Sequence, residues 1–252
     1  MSQLAHIRPR RSTEIIDGAF GLYRARFGDL LVVSVLILVP ALLVVQLGPY
    51  LPDWLTFLIM LAGNLMYVAG QGAIAILVAA TVERDEAITA GTVFRRLGRR
   101  GLTVILIAIV TSLLVMLGFV FLIIPGFIAL AWTAAAIPAA AIEGLSVGAA
   151  IRRSRELARG RIGHVLVTLI LIWLIFAALG FGFMIAFTIA VATLGLTNSS
   201  IFLVLLQLIF VPIFPLFGVV TTMLYYDLRV RSDGADVAAM IDALPVTPAE
   251  PA

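Results

Sequence analysis

The sequence predicts an all-α integral membrane protein with six transmembrane helices as three hairpins, each preceded by a cytoplasmic interfacial amphipathic helix. Three observations lead there. Hydrophobic residues make up 62% of the 252 positions and charged residues only 12%, whereas soluble domains carry about 45–50% apolar and about 25% charged residues. The mean hydropathy of +1.15 is concentrated in runs long enough to cross a hydrocarbon core of ~30 Å at ~1.5 Å per helical residue. The remaining charge is segregated: all 17 basic residues are arginine, and they fall in four segments between the apolar runs.

The spans are placed at about 29–48, 55–81, 102–123, 126–142, 165–193 and 201–226. Spans three and four form one nearly continuous apolar stretch, but a single helix over residues 102–142 would reach ~60 Å, about twice the core thickness. "IIPG" at 123–126 supplies the turn, because proline cannot continue the hydrogen-bond ladder and glycine tolerates turn geometry. Prolines 40, 138, 212 and 215 predict breaks or bends elsewhere, which are more often filled by packing than used for gating. No small-residue cleavage site follows the first apolar run, so that run is predicted to be retained. Residues 1–231 form one transmembrane domain, and 232–252 a short tail with a helix expected at 235–243 and a partly disordered Pro/Ala-rich end.

Arginine placement tests the count. The segments hold Arg8, Arg10, Arg11, Arg24 and Arg26; Arg84, Arg95, Arg96, Arg99 and Arg100; Arg152, Arg153, Arg155, Arg159 and Arg161; and Arg229 and Arg231. With six spans all four segments share one side, and merging spans three and four would strand the five arginines of the third segment on the other. The positive-inside rule makes the arginine side cytoplasmic, with both termini there. Tyr225 and Tyr226 are placed as interfacial aromatics.

A repeat emerges from the polar segments. "STEIIDGAFGLYRARFGDLL", "TAGTVFRRLGRRGLTVIL" and "SVGAAIRRSRELARGRIGHVLV" each start with a Ser or Thr N-cap candidate, run through an amphipathic stretch and enter an apolar run. At 100° per residue the first groups Ile15, Ile16, Ala19, Phe20, Tyr23 and Phe27 against Asp17, Gly21 and Arg24. The second sets Val93, Phe94 and Leu97 against Arg95, Arg96 and Arg99. In the third, Val147, Ala150, Ile151, Leu157, Ala158 and Ile162 oppose Arg152, Arg155 and Arg159. Such helices are expected to lie on the inner leaflet, apolar face in lipid, with these arginines as candidate contacts to anionic lipid or a partner.

Ionisable residues inside a membrane usually mark ion or proton pathways, and none lies deep in these spans; Asp29, Glu143 and Asp227 fall at cytoplasmic ends. Glu143 and Arg152 are a candidate ion pair docking the third amphipathic helix. Asn64 and Gln71, seven apart and so on one face of the second span beside Gly63 and Gly70, suit helix packing with interhelical hydrogen bonds, with a substrate-lining face as the alternative. Phe210, Phe214 and Phe217 form a lipid-facing or packing stripe.

Chemistry is constrained by absences in the sequence. There is no cysteine, hence no disulfide, thiolate site or thiol nucleophile. His6 and His164 are the only histidines and form no paired ligand motif. Neither a nucleophile elbow nor a P-loop occurs, and Glu83, Asp85 and Glu86 suit a solvated turn. No metal, cofactor or catalytic residue is expected. No nucleic acid is expected either, because aromatic residues do not interleave with the basic faces.

"RPRRSTEIIDGAFGLYRARFGDLL", "IIPGFIALAWTAAAIPAAAIEGLSVGAAIRRSRELARGR" and "TTMLYYDLRVR" together resemble the bacterial membrane-domain family named after glycerophosphoryl diester phosphodiesterase. The most telling element runs from the intramembrane proline through Glu143 to Ser154, Leu157 and Gly160. The resemblance implies fold and a bacterial inner-membrane location; phosphodiesterase activity is not carried over, because the barrel that carries it in the proteins that named the family is not found in this sequence. The expected function is that of a non-catalytic scaffold or accessory for envelope or lipid-related processes, with a transporter or channel for a small or lipidic molecule as the alternative.

Overall fold

The computed structural model describes residues 10–47, 50–84, 88–193, 208 and 210–242, and all regular structure among them is helical. The chain runs through α1 (Ser12–Ala25), α2 (Phe27–Leu47), α3 (Asp53–Arg84), α4 (Ala90–Gly98), α5 (Gly101–Phe121), α6 (Ile123–Thr133), α7 (Ala136–Glu143), α8 (Val147–Ala158), α9 (Ile162–Thr193) and α10 (Phe210–Asp242). Five stretches are long and apolar enough to cross a membrane: Asp53–Glu83, Gly101–Phe121, Ile123–Glu143, Ile162–Thr193 and Val211–Asp233. The described side chains of α2 add a shorter apolar stretch, Phe27–Leu38. The "GLTNSS" loop and the first part of the span expected at 201–226 lie outside the described residues.

α3 is the centre of the bundle. From Gly70 to Ala80 every residue is buried, the pattern of a helix enclosed on all sides, and α2, α4, α5, α7 and α10 all pack against it. Small residues let the neighbours close in. A Cβ on Gly70 would stand 2.8 Å from Ile37, and one on Gly218 of α10 would stand 2.6 Å from Gln71 and 2.9 Å from Ile74. Tyr67 and Phe214 meet edge to face at 4.8 Å between centroids, and Phe176 and Phe217 at 6.2 Å, so the described part of the phenylalanine stripe packs.

Burial is uneven along the helices. The buried residues of α3, α5 and α9 lie mostly in the halves nearest the arginine segments, while their other halves expose large apolar side chains, among them Phe57 at 66%, Phe121 at 76% and Phe181 at 61%. Such surface suits lipid rather than water.

The turn between spans three and four falls one residue before the expected "IIPG". α5 ends at Phe121, Leu122 alone is extended (φ −165°, ψ 150°), and Pro125 sits in the first turn of α6. A proline there is tolerated because its missing N–H would have had no helical partner. α5 and α6 then run in direct backbone contact, a Cβ on Gly118 falling 2.8 Å from the Gly126 Cα.

The expected fourth span is two helices. Pro138 lacks an N–H, and its ring clashes with the carbonyl four residues back, so the chain loses helical register at Ala134 and Ala135 and restarts as α7. The freed Ala135 N–H donates to Ser154 Oγ at 3.1 Å, and Ser154 is fully buried. The kink is filled by packing from α8. At the other end, α10 is continuous to Asp242, so the short helix expected at 235–243 is its extension.

The three amphipathic helices form with the expected faces, but those faces rest on protein rather than in a leaflet. Ile15, Ile16 and Ala19 of α1 are buried, with α9 and α10 as neighbours. Val93 and Leu97 of α4 are buried in the core around α3. Ala150, Ser154, Leu157 and Ala158 of α8 are buried, with α5, α6, α7 and α10 around them. The reason is physical economy of polar groups: α8 carries the hydroxyl that the broken span needs. Ser154→Ala leaves the Ala135 N–H unpaired and is expected to cost about 1–3 kcal/mol, read as a lower unfolding midpoint in detergent; an unchanged midpoint would remove this account of the break.

Candidate functional site: an arginine-lined cavity between helices three, four and seven

α4 is short and ends in Arg95 and Arg96. With its apolar face on α3, the helix leaves Arg95, Arg96 and the following Arg99 outside that contact, lining a cavity of about 500 Å³. Its apolar floor comes from Ile76, Ala79 and Ala80 of α3 and from Ala141 and Ile142 of α7; Thr92, Glu83 and Arg100 complete the lining. Arg95, Arg96 and Arg99 are all exposed.

Arg100 differs from the other three. Its Nη1 donates to the carbonyls of Ala141 at 2.5 Å and Ile142 at 3.1 Å, capping the last turn of α7, where carbonyls lack helical partners and carry partial negative charge. Gly144 makes this possible: it adopts a left-handed φ of 72° to end α7, and a Cβ there would stand 2.9 Å from Arg100 Nη2. Arg100 therefore fixes one wall of the cavity. The neighbouring Glu83 carboxylate accepts from the Tyr226 hydroxyl at 2.8 Å and lies 3.8 Å from Arg229. Among the described residues no acid pairs with Arg95, Arg96 or Arg99.

The arginines of α8 are spent differently. Arg155 lies 4.4 Å over the Trp132 ring, a cation–π contact. Arg152 faces Glu156 at 3.9 Å, with both side chains mostly exposed, an arrangement of little energetic weight. The pairing expected between Glu143 and Arg152 is corrected: Glu143 lies 3.6 Å from Arg153 and accepts from the Tyr225 hydroxyl. One residue of helical register is 100° of rotation, which turns Arg153 towards α7 and Arg152 outward. Arg159 is exposed at the C-terminal end of α8. The six arginines singled out in the sequence thus divide, those of α4 around a cavity and those of α8 along an open face.

Asn64 and Gln71 do not share an environment. Gln71 is buried, with its amide at no hydrogen-bond geometry and tight over Gly218, whereas Asn64 is exposed. The two lie on one side of α3, but neighbouring helices cover that side only at its packed half. A second cavity, of about 400 Å³, lies elsewhere, at the break between α6 and α7. It is lined by Leu130, Thr133 and Ala134 together with Thr111 and Thr221. The hydroxyls of Thr111, Thr133 and Thr221 each donate to a carbonyl of their own helix.

Sequence reasoning missed a densely connected group among the described residues. Asp227, its side chain only 1% exposed, accepts the backbone N–H of Arg10 at 2.6 Å, Arg231 Nε at 2.7 Å and a contact from His164 Nε2 at 2.9 Å. Arg231 Nη2 also donates to the Arg10 carbonyl, and Arg161 Nη2 to the Arg231 carbonyl at 2.8 Å. Ser12 and Thr168 extend the network, with Ser12 Oγ 3.3 Å from His164 Nδ1 and Thr168 Oγ1 donating to Ser12 Oγ at 2.9 Å. The carboxylate, turned inward and enclosed by donors, staples the start of α1 to α9 and α10. The i,i+4 spacing of Asp227 and Arg231 was the visible signal. At the other end of the α1–α10 contact, the Tyr23 hydroxyl donates to the Pro212 carbonyl at 2.6 Å, and burial raises the pKa of Tyr23, keeping it a donor.

Comparison with protein-family models, with curated proteins and with solved structures finds no match to this chain. Among the described residues no group of three or more His, Asp or Glu is placed to hold a metal ion.

Arg231→Gln removes charge-assisted bonds from a buried carboxylate and is expected to cost about 1.5–3 kcal/mol. Arg152→Gln, at an exposed pair, should change stability by under about 1 kcal/mol. Thermal unfolding of the two variants side by side tests this order, and equal losses would contradict it.

Proposed function

We propose that this is a six-span inner-membrane protein, three hairpins each led by an amphipathic helix, with the arginine-bearing end and both termini in the cytoplasm. Its role is that of a non-catalytic scaffold or accessory in envelope or lipid-related processes, and it contacts anionic lipid at the arginine-bearing end. The observation that carries this reading is the α4 cavity, where Arg95, Arg96 and Arg99 gather beside an apolar floor and have no acid partner among the described residues. Each arginine near an anionic leaflet contributes about 1 kcal/mol before screening. Because the apolar faces of the amphipathic helices pack on protein, the arginines rather than inserted side chains supply the lipid contact. The resemblance to the phosphodiesterase-associated membrane domains, resting on the residues quoted above, supports the same location.

A conduit reading draws on a different place, the cavity at the α6–α7 break, since interrupted helices line substrate paths in many transporters. Of the Asn64 and Gln71 face from which the sequence argued it, Asn64 is exposed and Gln71 is packed over Gly218.

Purified protein in phosphatidylcholine is expected to gain thermal stability when phosphatidylglycerol is mixed in, and Arg95→Gln/Arg96→Gln/Arg99→Gln to lose most of that gain; equal stabilisation by both lipids would reject the lipid contact. Topology is tested separately, since the chain has no cysteine of its own. Asp53→Cys should react with an impermeant maleimide on intact cells and Ser232→Cys only after permeabilisation; reaction of Ser232→Cys from outside would invert the scheme.

A further inference from the structure

Resting on the lipid-contact reading, we infer that the α4 cavity is a site for one phosphate monoester group, carried by a lipid, rather than a diffuse anionic surface. Four arginines line a single space of about 500 Å³, and their distribution is not that of a topogenic patch. Arg100 is held rigid by the carbonyls of Ala141 and Ile142, whereas Arg95, Arg96 and Arg99 are exposed around it. The nearest described carboxylate, Glu83, is engaged by Tyr226 and Arg229.

A phosphodiester headgroup brings one negative charge and two free oxygens to such a site. A phosphomonoester brings close to two charges at neutral pH, with a second pKa of about 6, and three acceptor oxygens. Guanidinium forks match phosphate oxygens in pairs, so a cavity with several converging arginines rewards the monoester more than the diester. The floor indicates that the group arrives on a lipid. Ile76, Ala79 and Ala80 of α3 with Ala141 and Ile142 of α7 give a free, fully hydrated phosphate nothing to bind, but they suit the glycerol and first methylenes of a lipid whose phosphate reaches the arginines.

The test uses the full chain in detergent and native mass spectrometry, with dioleoyl phosphatidic acid, dioleoyl phosphatidylglycerol and dioleoyl phosphatidylcholine as probes. Phosphatidic acid is expected to bind roughly tenfold tighter than phosphatidylglycerol at pH 8, and the ratio to shrink to about twofold at pH 5, where the monoester carries one charge and the arginines are unchanged. Arg96→Gln/Arg99→Gln should abolish the preference, while Arg152→Gln/Arg155→Gln, an equal loss of charge, should leave it. Both pairs are exposed, and the pH comparison on the unsubstituted chain stands even where a variant misfolds. Glycerol 3-phosphate serves as the soluble arm: binding as tight as phosphatidic acid would overturn the lipid assignment. Equal binding of phosphatidic acid and phosphatidylglycerol, both above phosphatidylcholine, would overturn the site while leaving the lipid contact standing. No anionic preference at all would remove both.

Discussion

A helix that ends or breaks among apolar neighbours leaves backbone groups that no water can reach, and each must be met by a protein group or forfeit kilocalories. The whole architecture follows from meeting that demand. The break imposed by Pro138 is met by Ser154, the end of α7 by Arg100, the start of α1 by Asp227, and the Pro212 carbonyl by Tyr23. Three of these four donors or acceptors come from amphipathic helices or from the segment just after one. Helices that looked, by pattern, like floats on a membrane surface are the parts that close the bundle.

This changes what the arginines mean. A positive-inside signal requires only charge on one side, and any guanidinium would serve. In the fold the charges divide. Arg100, Arg153, Arg161 and Arg231 turn inward to carbonyls or carboxylates, and Arg155 lies on Trp132. Arg95, Arg96, Arg99 and Arg159 stay exposed. Arginine suits both uses, since its planar fork satisfies several acceptors at once and its charge is not lost on partial burial; this gives a physical reason for a chain with no lysine.

Features set by local periodicity were legible in advance. The apolar runs, the polar and apolar faces of α1, α4 and α8, and the bend near Pro138 are all properties of neighbours within about a turn. What was not legible depends on rotation or on distance. Glu143 meets Arg153 rather than Arg152 because a single position swings a side chain by 100°. The turn falls at Leu122 because proline begins helices as readily as it ends them. The Asp227 network joins residues 217 positions apart, and no local pattern can announce that. The cavity itself was half visible: Arg95, Arg96 and Arg99 were singled out, but its floor comes from α3 and α7, which only folding brings to them.

The three amphipathic helices are alike in pattern and unlike in commitment, and this difference points to α4 as the place where function concentrates. α1 is held by the enclosed Asp227, and α8 by Ser154 in the broken span and by the Arg153 pair to Glu143. Changing the outer surface of either would strain the contacts that complete the bundle. α4 packs only Val93 and Leu97 fully inside, and its anchor, Arg100, lies beyond its last residue. Arg95, Arg96 and the adjoining Arg99 can therefore answer to a ligand without cost to the fold. A rigid wall beside adaptable side chains is how a binding site retains its shape while its contacts adjust, and in this protein that combination arises where the internal demands on arginine have already been met.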